Sequence, residues 1–157
     1  MSGAVDLVEI WRADRVESRH KGHAVIGRPD GSVVASWGDP DAVIFPRSSA
    51  KILQAIPLVE SGAADRAHLT DAQLALACAS HSGAAIHIAP VAAWLGDLGL
   101  TEDALRCGAH MPGDKAEAKR LTCSDHAPGQ VHNNCSGKHA GFLTLNQHLG
   151  AGPEYHE

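Results

Sequence analysis

Apolar and polar positions from Val5 to Trp11 alternate well enough to suggest a strand. A hairpin follows between His23 and Trp37. Ala24-Val25-Ile26 and Ser32-Val33-Val34-Ala35 flank a turn at Arg28-Pro29-Asp30-Gly31. Proline presets one dihedral of that turn and glycine accepts a positive φ. After Phe45-Pro46 the period changes. Ser48 or Ser49 is placed to cap a helix whose apolar positions Ile52, Ala55, Ile56 and Val59 recur at helical spacing, with Pro57 late in it and Gly62 as its stop. Thr70-Asp71 opens a second helix carrying Leu74 to Cys78, and His87 to Leu98 predicts a third. A short helix from Thr101, a polar one from Asp114 to Leu121, and one from the Gly/Asn-rich turn 131–137 through His148, closed at Gly150, complete the pattern.

The expected architecture is α/β, one domain over 1–157, with about three strands near the start and five or so helices. So few strands leave sheet edges needing cover. The chain also stops abruptly after Pro153-Glu154-Tyr155-His156-Glu157, as a fragment would.

Composition narrows the function classes. Hydrophobic residues make up 44% and charged residues 20%, a globular balance, and the formal net charge of -5 offers no basic face for nucleic acid. No apolar run reaches membrane-spanning length, and the start lacks a signal-peptide layout, so a cytoplasmic location is expected. In that compartment Cys78, Cys107, Cys123 and Cys135 are read as reduced thiols, with metal ligation open.

The first chemical candidate is Arg47-Ser48-Ser49-Ala50-Lys51. Residues three apart on a helix share a face, so the Lys51 amine can reach the Ser48 hydroxyl. A serine hydroxyl attacks only once a base takes its proton, and an uncharged lysine amine can serve. Burial or a nearby cation must favour that uncharged form. The bland alternative is a capping serine and a solvated lysine. Ser-x-x-Lys is a weak signal alone, since Ser18-Arg19-His20-Lys21 matches it too.

The second candidate is Cys78-Ala79-Ser80-His81-Ser82-Gly83, where an apolar element ends in small polar residues. Ser80 offers a second hydroxyl and His81 a base, against the simpler reading of a helix end with a glycine stop. The third is the densest: Cys107-x-x-His110, Cys123-x-x-His126, and His132-Asn133-Asn134-Cys135-Ser136-Gly137-Lys138-His139. Sulfur and imidazole at short spacing suit zinc, although these spacings match no familiar finger. Asn133-Asn134 suggests a turn with exposed amides suited to a polar substrate.

Taken together, Phe45 to Lys51, Ala79 to Gly83, Cys107 to Pro112, and His132 to Phe142 resemble the rhizobial-type, thermolabile L-asparaginases. The resemblance spans the chain. It implies a mixed β-sheet flanked by helices, of the serine β-lactamase and penicillin-binding-protein kind, in a homodimer. It implies Ser48 as nucleophile with Lys51 as base, and Ser80 as half of a second Ser-Lys pair. It implies zinc held by Cys135 and Lys138, the latter bound as the neutral amine. Arg47, His81, Asn134 and His139 fall on the substrate side, Arg47 suited to a carboxylate. The second lysine and a further zinc-ligand cysteine are expected beyond residue 157, because family members are considerably longer. Ala84 stands where the family usually carries a glutamate.

The expected activity is hydrolysis of L-asparagine to L-aspartate and ammonia. The same fold also admits a glutaminase or a β-lactam-acting serine hydrolase. A non-enzyme alternative is a structural zinc module on Cys107, His110, Cys123, His126, His132 and Cys135, or an inactive fragment.

Overall fold

A computed structural model describes residues 3–156. The chain divides into two compact units, Met1–Phe45 and Pro46–Glu157.

The first unit is built from two antiparallel hairpins. β1 (Val5–Arg12) pairs with β2 (Arg15–Gly22), and β3 (Ala24–Gly27) with β4 (Val33–Trp37). The β3–β4 turn is the predicted one. Gly31 sits at φ +83° and its N–H donates to the Arg28 carbonyl at 2.9 Å. β2 escaped the hydrophobic pattern because Arg15-Val16-Glu17-Ser18-Arg19-His20-Lys21 is almost wholly polar. Cross-strand register and exposed ion pairs accompany it instead: Arg19 lies opposite Glu9, 2.9 Å from its carboxylate. The second Ser-x-x-Lys therefore lies on a strand, where side chains three apart point to opposite faces. Ser18 and Lys21 make no pair.

The second unit is helical. A 3-10 turn at Arg47–Ala50 runs into α1 (Lys51–Glu60), followed by α2 (Ala63–Arg66), α3 (Asp71–Cys78), α4 (Ala85–Asp97), α5 (Lys115–Cys123) and α6 (Ser136–His148). Thr70 and Gln73 close a capping box at the start of α3, and Asp114 caps α5. Gly62, at φ +78°, ends α1 as expected. Helix α6 packs against α1, α2, α3 and α4, and the core gathers on it: Leu58, Leu76, Ala77, Val91, Trp94, Leu95, Ala140 and Leu143. Small residues on α6 permit this. A Cβ on Gly137 would lie 2.5 Å from the Leu76 carbonyl oxygen, so α3 and α6 touch backbone to backbone there.

Two local expectations are corrected. Neither Ser48 nor Ser49 caps α1: Ser49 Oγ donates to the Pro46 carbonyl, and α1 begins directly from the 3-10 turn. The inward face of α1 is also not the predicted stripe. Ile52, Ile56 and Val59 are exposed, whereas Lys51 and Leu58 are buried and Ala55 half-buried. A buried lysine is tolerated there because carbonyls and a hydroxyl receive its amine. Among the described residues no helix is long and apolar enough to cross a membrane.

Candidate functional site

The site lies where the start of α1, the loop after α3 and the turn before α6 converge. Lys51, the first residue of α1, is only 3% exposed. Its Nζ lies 2.6 Å from the Ala79 carbonyl, 2.8 Å from Ser80 Oγ and 3.5 Å from the Asn134 carbonyl. Two of these partners are carbonyls and can only accept. The hydroxyl can also donate, and it is the one partner able to exchange a proton with the amine. Among the described residues no carboxylate pairs with Lys51.

The loop bearing Ser80 is fixed by His81. The His81 backbone N–H donates to the Asn134 carbonyl at 3.2 Å, tying the loop to the turn before α6. Its buried ring is used on both sides: the Gly83 N–H reaches Nδ1 at 3.2 Å, and Nε2 lies 2.9 Å from Ser136 Oγ. The proton is thus on Nε2, and Ser136 Oγ passes a hydrogen bond on to the Val131 carbonyl at 2.9 Å. Burial, then the neighbouring His87, Lys51 and His110, push the His81 pKa from 6.5 down to about 4, so the ring is neutral. Gly83 has φ +73°, and an added Cβ would meet Pro112 Cβ at 2.7 Å and the His132 carbonyl at 2.8 Å. Only glycine fits that corner.

The turn 133–136 is held by its own side chains. Asn133 Nδ2 donates to the Cys107 and Gly108 carbonyls at 2.8 and 3.0 Å, and its Oδ1 receives the Cys135 N–H at 2.8 Å. The Asn134 N–H donates to His110 Nε2 at 3.3 Å. The Asn134 side chain is half-buried and has no hydrogen-bond partner among the described residues, leaving its amide available.

The other expected residues fall around this centre. Ser48 is exposed on the 3-10 turn one helical turn before Lys51, and it is not among the hydrogen-bond partners of the amine. Arg47 beside it is exposed, with a left-handed φ of +49°, a strained conformation for a side chain of its size. His139 is half-buried, and its Nδ1 lies 2.6 Å from the Tyr155 hydroxyl. Its pKa too is lowered to about 4, by burial first and then by Lys138 and Lys51.

Cys135 and Lys138 stand three residues apart where α6 begins, both half-buried. The Lys138 amine lies 5.5 Å from the centroid of the Phe142 ring. Cys107 is their neighbour: burial raises its thiol pKa to about 11, with Cys135 adding to the rise and Lys138 opposing it. Sulfur and neutral amine are chemically suited to zinc, but two such donors fall short of its usual four. Among the described residues no three His, Cys, Asp or Glu side chains gather around one point. The fit is therefore partial, and a zinc ion there needs ligands besides this pair. The six-residue zinc module is not assembled. His132 is bound to Glu117 at 3.3 Å, while Cys123 and His126 are exposed.

Sequence reasoning singled out Lys51, Ser80, His81 and Asn134, which do meet. It missed the Ala79 carbonyl as a receiver of the lysine amine, Ser136 as the partner of His81, and Tyr155 as the partner of His139. The first is backbone and carries no sequence signal. The other two are common polar residues that only the fold brings near.

The site thus presents a buried lysine amine bound to a serine hydroxyl, beside a turn rich in amides. The L-asparaginase II family model matches residues 8–157, and the chain belongs to that family. No curated protein matches it. Membership places the chain among asparaginase-type amidohydrolases, which act on a small-molecule substrate.

Proposed function

We propose that the protein hydrolyses L-asparagine to L-aspartate and ammonia through a serine-lysine nucleophile. The observation that carries this reading is the buried Lys51 amine 2.8 Å from Ser80 Oγ, without a carboxylate partner among the described residues. Ser48 attacks the side-chain amide carbon and gives up its proton to the Lys51 amine. The C–N bond then breaks. Ser80, in contact with the same amine, relays that proton to the departing nitrogen, so ammonia leaves and an acyl-serine ester remains. Water then attacks the ester carbon as Lys51 takes its proton, the bond to Ser48 Oγ breaks, and Lys51 returns that proton to Oγ, so aspartate is released and both groups are restored. For the first step Ser48 Oγ has to turn toward Nζ. One intervening helical turn keeps that move short.

Arg47 suits the substrate α-carboxylate, and its strained backbone supports a positioning role. Asn134 offers its amide, and His139 a ring nitrogen. His81 is assigned here to support of the Ser80 loop, because both of its ring nitrogens are engaged within the protein. Zinc would be held by Cys135 and Lys138 with further ligands. It would supply positive charge near the substrate, and no step above depends on it. The β-lactamase-like mixed sheet, single-domain organisation, cytoplasmic location and homodimer belong to the same reading.

The test is ammonia release from asparagine and glutamine, alongside turnover of a chromogenic β-lactam, by the purified protein. Asparagine turnover with at least a 10²-fold loss in both Ser48→Ala and Lys51→Met is expected, and a smaller loss in Ser80→Ala. Turnover of only the β-lactam would change the substrate. Full activity in Ser48→Ala with none in Ser80→Ala would make Ser80 the nucleophile. Wild-type rates in all three variants would overturn the mechanism.

A further inference from the structure

The segment after α6 folds back on that helix and brings Tyr155 to His139. The Ala151 N–H donates to the Asn146 carbonyl at 2.8 Å, and Asn146 Nδ2 donates to the Gly152 carbonyl at 2.9 Å. Further along, the Glu154 carboxylate meets the Arg106 guanidinium at 3.0 Å. The Tyr155 ring packs against His139 and Phe142, with centroids 5.4 and 5.8 Å away. Its hydroxyl oxygen receives the Arg106 backbone N–H at 2.7 Å and lies 2.6 Å from His139 Nδ1.

The Arg106 N–H can only donate, so the hydroxyl accepts there. The oxygen could accept a second hydrogen as well, but its own proton meets no acceptor other than Nδ1 among the described residues and is directed there. A ring nitrogen that accepts carries no proton of its own. In a neutral imidazole the proton must therefore sit on Nε2. We propose that Tyr155 is a positioning residue that locks His139 in its Nε2–H form, so that the ring presents a neutral hydrogen-bond donor to the substrate. A neutral imidazole used as a donor adds directionality to the site without adding charge. The substrate half of this inference rests on the amidase reading. The tautomer half does not.

The two halves are measured separately. Nitrogen-15 spectra of the intact protein, with the His139 ring assigned through His139→Gln, read the tautomer directly. Nδ1 in the unprotonated range and Nε2 in the protonated range are expected. A protonated Nδ1 in the wild type would overturn the lock, whatever the enzyme does. In Tyr155→Phe, which keeps the ring packing, the spectra should move toward a mixture of tautomers. Unchanged spectra there would also overturn the lock. With asparagine, Tyr155→Phe should lower kcat by about tenfold and leave KM within about twofold, since orientation of a donor matters most in the transition state. A locked tautomer with unchanged kcat in Tyr155→Phe would refute the role in the reaction. No turnover by the wild type would instead refute the amidase reading and leave the tautomer result standing.

Discussion

Close approach of backbone to backbone decides what single residues can be, and Gly137 is the sharpest case. It follows Ser136 in the first turn of α6, and its missing side chain lets the helix lie against the end of α3. A methyl group there would sit 2.5 Å from the Leu76 carbonyl oxygen and 2.7 Å from its carbonyl carbon. Neither atom belongs to a flexible side chain, so relief requires a shift of one helix against the other. Gly137→Ala is expected to destabilise the second unit by about 1–3 kcal/mol, the usual range for overpacking. Chemical denaturation followed by tryptophan fluorescence measures it, because Trp94 is buried in the same core. A change below about 0.5 kcal/mol would show that the helices are not in contact at this point. The shift should also reach the site, since Ser136 and Cys135 immediately precede Gly137. Loss of activity beyond loss of folded protein is the expected companion.

Elements carry the site through their ends rather than their middles. Lys51 begins α1, Ser80 follows α3 and Asn134 precedes α6, so three termini meet around one amine. His81 welds two of them, and its ring is buried neutral. That has a consequence in acid. The pKa of His81 is lowered from 6.5 to about 4 on folding, so the unfolded chain binds a proton that the folded one refuses. Stability contributed by the neutral ring is complete above pH 6.5 and is lost as the pH falls from 6.5 toward about 4. The groups opposing protonation are His87, stacked at 5.2 Å, with Lys51 and His110. His139, lowered by burial beside two lysines, acts in the same window. Denaturation at a series of pH values should show this slope, and His81→Gln should flatten part of it. An unchanged slope in that variant would remove His81 as a cause.

How far these elements could be read from sequence follows from what forms each one. α3, α4 and α6 were legible because capping residues, apolar spacing and Gly150 mark them. β2 was not, since its pairing depends on a partner strand and polar side chains reveal no face. The inward side of α1 was misjudged for a related reason. Ile52, Ile56 and Val59 make a helical stripe, but a stripe does not say which neighbour covers it. Lys51 could be buried only because Ala79, Ser80 and Asn134 arrive from residues distant in sequence. The short motifs picked out residues that the fold brings together, whereas the hydrogen bonds among them came from the fold.

At the scale of the whole molecule, the first unit departs most from ordinary surface chemistry. Neighbouring residues on a regular strand face opposite sides, and here both sides are apolar: Ile10 with Trp11 and Val25 with Ile26, joined at the bulges by Leu7, Val8, Val33 and Val34. All eight are between 46% and 56% exposed. Each hairpin is two-stranded, with its outer edges unpaired in its own sheet, and isolated pairs of that kind are marginal in water. A ribbon apolar on both faces is normally covered on both, as in sheets with helices above and below. The purified chain is therefore expected to associate, and sedimentation should give a mass above the 16.4 kDa of one copy. Lysine at single exposed positions, Val8→Lys on β1 and Val34→Lys on β4, tests the source, because a charge on an apolar contact opposes association while leaving the helical core untouched. Both variants should shift the equilibrium toward monomer and reduce binding of an apolar dye. A monomer at all concentrations in the wild type, or association unaffected by either lysine, would remove the hairpins as the adhesive surface.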